Sequence, residues 1–260
     1  MWQWQSWEGQ PYLTCQLLED WQHGFFTRQF APRAPEQLVE ALHPAAEVYR
    51  AKQVHGDRIV TPREIEIERP HLPPEAPWPP ADGILTETSK QSVWVASADC
   101  TPALIADIET GRVAAVHAGW RGTAKGIVPK AIARFFQLGS KAENLRIALG
   151  PAISGPVYQV SKAVAAEVGQ SLVARDRNLS SEQIIEQLSQ SNDPPILNDP
   201  QPDRVRLDVR RVNVLQLEGL GIAAEQIAIA PHCTYQQSEY FFSYRRTSEK
   251  KVQWSGIVSQ

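Results

Sequence analysis

A mixed α/β domain is the fold class this sequence predicts, on three observations. Short apolar runs bounded by turn residues read as buried strands, stretches of helical periodicity are interleaved with them, and no internal repeat is visible. At 260 residues and 42% hydrophobic, the chain can bury a substantial core, and residues 1–260 read as a single domain.

From the N-terminus, a strand is expected around Tyr12 to Leu18, followed by WQHGFFTRQF and a helix from Pro35 to Leu42 whose proline suits a first helical position. Tyr49 to Val54 reads as a strand that is cut short at Gln53-Val54-His55-Gly56-Asp57. Six prolines between Arg69 and Pro80 exclude a helix or an internal strand there. Val93 to Ala98 forms a strand that delivers Asp99 and Cys100. Two further strands, Pro102 to Asp107 and Arg112 to Ala118, flank a turn at Glu109-Thr110-Gly111, and a helical pattern runs from about Ala124 to Leu138. Leu145 to Leu149 is a buried strand ending in a Pro- and Gly-rich loop, Gly150 to Pro156. Ser161 caps a helix to about Val173, and a short helix at Glu182 to Leu188 sits in a polar surface stretch. Asp208 caps the next helix, with Val212, Leu215 and Leu220 on its apolar side and Gly221 as its stop. Ile227 to Ala230 is the last core strand before Pro231-His232-Cys233-Thr234 and Phe241-Phe242-Ser243-Tyr244-Arg245-Arg246.

A formal net charge of −3 gives no basic field, so no nucleic-acid polymer is expected as a partner. The opening WQWQSWEGQPYL lacks a continuous apolar core and no Lys or Arg precedes Arg28, so it does not read as a secretory signal. No segment is long and apolar enough to span a bilayer. Cys15, Cys100 and Cys233 are an odd number of thiols at wide spacing, which points to a reducing, cytoplasmic compartment. Cys15 and Cys233 read as packed thiols. His23, His43 and His71 read as structural or solvated.

The chemistry concentrates between Ser97 and Thr123, SADCTPALIADIETGRVAAVHAGWRGT. If its two strands pair antiparallel about the turn, Pro102 lies opposite His117. Cys100 then becomes the diagonal neighbour of His117 on one sheet face, about 7–8 Å away between backbones. A slip of one residue would turn the two apart. Gly119 and Gly122 allow a sharp turn and a close approach. Arg121 between them offers a guanidinium at a helix start, suited to an anion. His55, beside a turn, is the third candidate for chemistry.

Taken together, KQVHG at 52–56, ADG at 81–83, SADCTP at 97–102, VHAGWRGT at 116–123, GPAI followed by Tyr158, and CT then FFSYRR at 233–246 resemble the YfiH family. That family is long labelled laccase-domain or multicopper polyphenol oxidase, and later zinc-dependent purine nucleoside phosphorylase. The resemblance spans nearly the whole chain in order. It implies a four-layered α/β/β/α fold with mixed β-sheets, CNF/YfiH-like, and a metal site on His55, Cys100 and His117. It also implies phosphorolysis of purine nucleosides (adenosine, inosine, guanosine, methylthioadenosine), with adenosine deaminase activity. This chain departs from the family pattern after HGFFTR, where Gly-Gly-x-Ser and Asn-Leu features are missing, and after the double arginine, where Gly-Arg is missing.

Two imidazoles and a thiolate form a borderline-soft set that suits Zn²⁺, and three protein ligands leave a fourth position open, as in catalytic rather than structural zinc. Cu²⁺ is a possible substitute because it generally outcompetes Zn²⁺ for such ligands. Multicopper chemistry is not expected: the chain has six histidines and no H-x-H pair. Arg121 is the first candidate for phosphate, Arg245 and Arg246 are secondary candidates, and Phe242 or Tyr244 is placed to stack on a base. Two other readings stay open. One is a metal-free Cys100–His117 hydrolase or amidase acting on cell-wall precursors; the other is a non-enzymatic zinc-binding module.

Overall fold

In the computed structural model, which describes residues 1–173 and 179–260, strands from both ends of the chain interleave in one sheet. This six-stranded sheet runs in the order Trp2–Trp7, Gln10–Cys15, His23–Phe26, Gln253–Val258, Gln91–Ser97, Glu47–Tyr49. The C-terminal strand lies in its middle, paired antiparallel with His23–Phe26 on one side and Gln91–Ser97 on the other. A second six-stranded sheet runs Ile227–Ile229, Leu145–Leu149, Thr101–Asp107, Val113–Ala118, Gly83–Leu85, Ile59–Val60. Each sheet combines parallel and antiparallel pairs.

The two sheets bury a shared core in which Leu13, Phe25 and Val95 of the first meet Leu104, Ala115 and Ala148 of the second. Both faces of Thr101–Asp107 and Val113–Ala118 are buried, because the outer face of the second sheet packs on Ile127–Gln137 and Val209–Glu218 through Ile132, Phe135, Val214 and Leu217. On the far side, Leu38 and Val39 of a short helical segment cover Phe26, Trp94 and Val258. Those four layers are the α/β/β/α arrangement expected. Beside them, Lys162–Gly169 and Ser181–Ser189 pack on a small three-stranded sheet, Gln159–Ser161, Arg204–Leu207 and Ile196–Asn198.

Several boundaries differ from expectation for local reasons. The helix expected from Ala124 to Leu138 is two helices, Trp120–Ala124 and Ile127–Gln137, because Gly126 sits in the left-handed region at φ +72. The strand expected to Leu18 ends at Cys15, and Gln16–Leu18 is a 3-10 turn. The strand expected from Tyr49 to Val54 lies earlier, at Glu47–Tyr49. The helix after Ser161 stops at Gly169, with Gln170–Leu172 continuing as a 3-10 turn. After Asp208, which caps by accepting from Arg211 N, the helix ends at Glu218; Val212, Val214 and Leu217 are buried while Leu220 is 40% exposed. An unanticipated helix, Pro62–Glu68, starts at a capping box in which the Thr61 side chain accepts from Glu64 N and the Glu64 carboxylate accepts from Thr61 N.

Candidate metal centre

The central hairpin has the register expected for antiparallel pairing about its turn, with Pro102 opposite His117, and Thr101 pairs with Ala118. Cys100 directly precedes the first strand and His117 lies near the end of the second, so both come to the same end of the sheet. His55 arrives from a loop, held at φ +57. One ligand atom from each of His55, Cys100 and His117 lies within 4.8 Å of the others. The triplet grades from exposed His55 through half-buried Cys100 to buried His117, open on one side and supported on the other.

The support is Asp82. Its carboxylate, almost fully buried, accepts from Val54 N at 3.1 Å, His55 N at 2.9 Å and Gly56 N at 2.7 Å. It also lies 2.9 Å from His117 Nδ1. The loop amides therefore hold His55 in its left-handed conformation, and the bond to Nδ1 leaves Nε2 as the ring nitrogen of His117 not engaged by Asp82. Burial pushes the Asp82 pKa up, but the bonds from His117 and Gly56 outweigh it and the group stays below its ordinary value.

Burial likewise raises the Cys100 pKa, yet the charge on His117, followed by hydrogen bonds from His117 and His55, brings the thiol down to about 6. His117 moves the opposite way: burial opposes its charged form, and the Cys100 thiolate and Asp82 favour it more. The site thus stabilises a thiolate, the protonation state in which cysteine binds metal.

Two glycines let the loops meet. A Cβ on Gly119 would sit 2.8 Å from Cys100 Sγ and 3.5 Å from His55 Cδ2, and one on Gly122 would sit 2.8 Å from Gly56 O. The turn they permit presents Arg121, whose guanidinium lies 4.3 Å over the Trp120 ring on the exposed side. Arg245 comes from the C-terminal arm: its guanidinium donates to Gln159 O and stacks 4.7 Å over Tyr158. Burial first, and then the negative charges of Cys100 and Asp99, push the Tyr158 phenol up to about 12 against the opposing effect of Arg245 and Arg121.

The remaining candidates differ in their surroundings. Arg246 is committed to structure, donating to the carbonyls of Thr234, Tyr235 and Phe241. Phe242 is covered by Arg28 at 4.7 Å and, with Phe26, Phe30 and Trp254, lines a cleft of about 540 Å³ that none of the three ligands borders. Tyr244 is 53% exposed. A further cleft of about 1020 Å³, bordered by Lys125, Glu167 and Gln216, also excludes the triplet. Sequence reasoning gave no role to Asp82 or Tyr158, although both lie in motifs it quoted, ADG and the tyrosine after GPAI.

Two imidazoles and a depressed thiol, with one imidazole oriented by a carboxylate, fit a zinc-type donor set. Among the described residues this is the one cluster of three such ligands. His23 is tied to Cys15 N and Trp21 O, and His232 to Gln237.

The chain is 57% identical over 259 residues to a purine nucleoside phosphorylase of Synechocystis sp., covering 100% of this chain and 97% of that one. It is 32% identical over 166 residues to the purine nucleoside phosphorylase YfiH of Shigella flexneri, covering 64% of this chain and 58% of that one. The fold matches the crystal structure of a Bacillus licheniformis hypothetical protein YfiH with a TM-score of 0.77 at 24% identity, covering 96% of each chain. A family model described as multi-copper polyphenol oxidoreductase laccase matches residues 32–258. With nearly the whole chain matched in sequence and fold, this protein belongs to the laccase-domain, or YfiH, family.

Proposed function

We propose that this protein is a zinc-dependent purine nucleoside phosphorylase, acting on adenosine, inosine, guanosine or methylthioadenosine, with adenosine deaminase as a second activity. The observation that carries the reading is the convergence of His55, Cys100 and His117 within 4.8 Å in front of Asp82, in a chain whose relatives carry the phosphorylase name. His55 N, Cys100 S and His117 N would hold the metal, and zinc bound there would supply a Lewis acid.

The chain's own residues account for the rest. Asp82 fixes the His117 ring and the His55 loop. Arg121, exposed and free of a carboxylate partner among the described residues, receives phosphate through its guanidinium fork. Arg245 and Tyr158 form a second wall on which the nucleoside is oriented. Phosphorolysis then forms a bond from a phosphate oxygen to C1′ as the glycosidic C–N bond breaks, and the purine leaves with the bonding pair and takes up a proton. The three free thiols fit a cytoplasmic setting, and no helix among the described residues is long and apolar enough to cross a membrane. The test is purified protein with inosine, with and without phosphate, assayed for free base and ribose 1-phosphate. Phosphate-independent release of base would sink the reading.

The depressed Cys100 thiol beside a protonated His117 favours one second reading, a metal-free thiol hydrolase or amidase. Removing metal separates the two. A phosphorylase of this design loses activity with its metal, whereas a thiol nucleophile keeps it.

A further inference from the structure

Asp99 is held at φ +87, a region that L-residues rarely adopt, between the strand ending at Ser97 and the ligand Cys100. Such strain persists only where the surroundings over-determine it. Here they do so through three segments distant in sequence. Oδ1 accepts from the Thr234 hydroxyl at 2.7 Å, and Oδ2 accepts from the Ser243 hydroxyl at 3.0 Å and from Arg245 N at 2.7 Å. The Asp99 carbonyl accepts from Ile153 N at 3.0 Å.

The consequences run in two directions. The bend at Asp99 turns the chain between Ser97 and Thr101, and so sets where the Cys100 sulfur points relative to His117. The same carboxylate holds the main chain of Arg245, whose guanidinium lies on Tyr158 and Gln159 O. A metal ligand and a cation on the substrate side therefore share one anchor, which no contact of either makes necessary by itself.

We propose that Asp99 is a positioning residue that locks Cys100 to the arm Ser243–Arg246, so that the metal site and the substrate wall are assembled together. Only the kinetic part of its test rests on the phosphorylase reading. Asp99→Asn keeps the shape and a residue type that tolerates positive φ. The Thr234 hydroxyl can turn to accept from the new amide while the remaining oxygen serves Ser243 and Arg245. Asp99→Gly adopts the bend freely but has no carboxylate. It separates the clamp from the backbone conformation.

The measurement is a cobalt(II) titration of metal-free protein, read by the thiolate-to-cobalt charge-transfer band, with KM and kcat on inosine for the zinc-loaded forms. Asp99→Asn should bind cobalt within about threefold of the parent with the same band. Asp99→Gly should bind about tenfold or more weakly with a shifted band, the range expected when a group orienting a ligand is lost. Its KM should rise about tenfold even at saturating zinc, with the smaller change in kcat, because Arg245 loses its anchor. An unchanged band and affinity in Asp99→Gly would overturn the proposal. If that variant does not fold, Thr234→Val and Ser243→Ala each remove one donor from the clamp. A shifted band in either supports the proposal, and parent spectra in both overturn it. Absence of phosphorolysis in the parent protein would sink the phosphorylase reading and leave the cobalt result to decide the role of Asp99.

Discussion

His117 Nδ1 lies 2.9 Å from Oδ1 of Asp82, and the Asp82 main-chain carbonyl accepts the His117 N–H at 2.7 Å, so one residue fixes both the ring and the backbone of a candidate metal ligand. The other carboxylate contacts reach Val54, His55 and Gly56. Asp82→Asn replaces one acceptor oxygen by a donor facing donors. Zinc affinity should fall about 10–100-fold in a competition titration. Asp82→Ala leaves all these donors without their acceptor in a buried place, and should also destabilise the fold by about 3 kcal/mol in urea unfolding. Parent-like zinc affinity in both variants would remove Asp82 from the site.

The Cys100 thiol offers a pH test. An ordinary thiol becomes reactive as pH rises through about 8.5. Cys100, lowered to about 6, is thiolate across the neutral range, so its alkylation by iodoacetamide in metal-free protein should be nearly level above that pH and fall as pH drops through it. Mass spectrometry of the Cys100 peptide reads the rate, with buried Cys15 and Cys233 as internal references. Zinc should protect Cys100, and Cys100→Ala should not retain zinc. A rate that still climbs steeply between about pH 8 and 9 would show an ordinary thiol.

Much of this site was legible in the chain because the information is local. The apolar runs around Glu109-Thr110-Gly111 pair in the expected register, which brings Cys100 and His117 together, and His55 joined them through motif resemblance rather than spacing. What escaped was set by distant contacts. The contacts of Asp82 and Asp99 come from groups 26 to 35 and 135 to 146 residues away, respectively. Nothing in FFSYRR itself separates Arg245, which reaches Tyr158, from Arg246, which caps three carbonyls. Helix ends moved for a related reason: Gly126 breaks a continuous helical pattern by its backbone conformation alone.

Gly119 has φ −71, which any residue adopts, so the effect of an alanine there comes from contact alone. Its Cβ would meet Cys100 Sγ at 2.8 Å. Gly119→Ala should displace the thiolate, weaken metal binding and lower the stability by about 1–3 kcal/mol. Gly219→Ala, where the nearest atom is an ordinary 3.4 Å away at φ −63, serves as the control and should leave metal binding unchanged. Equal metal affinity in the two variants would show that the loop can yield around the added carbon.

Arg121 and Arg246 should separate cleanly, because one is exposed over Trp120 and the other is spent on three carbonyls. Arg246→Ala should lower the melting temperature by loosening the turn from Thr234 to Phe241. Arg121→Lys should leave it unchanged. A lysine keeps the charge but cannot reproduce the two parallel bonds of a guanidinium fork, so the phosphate KM should rise and kcat/KM for phosphorolysis should fall by about tenfold or more. Deamination of adenosine uses water and no phosphate, so it should change much less in the same preparation with zinc content checked. If both reactions fall in parallel while zinc stays bound, Arg121 orients the nucleoside. The phosphate role then passes to Arg245, whose guanidinium lies over Tyr158.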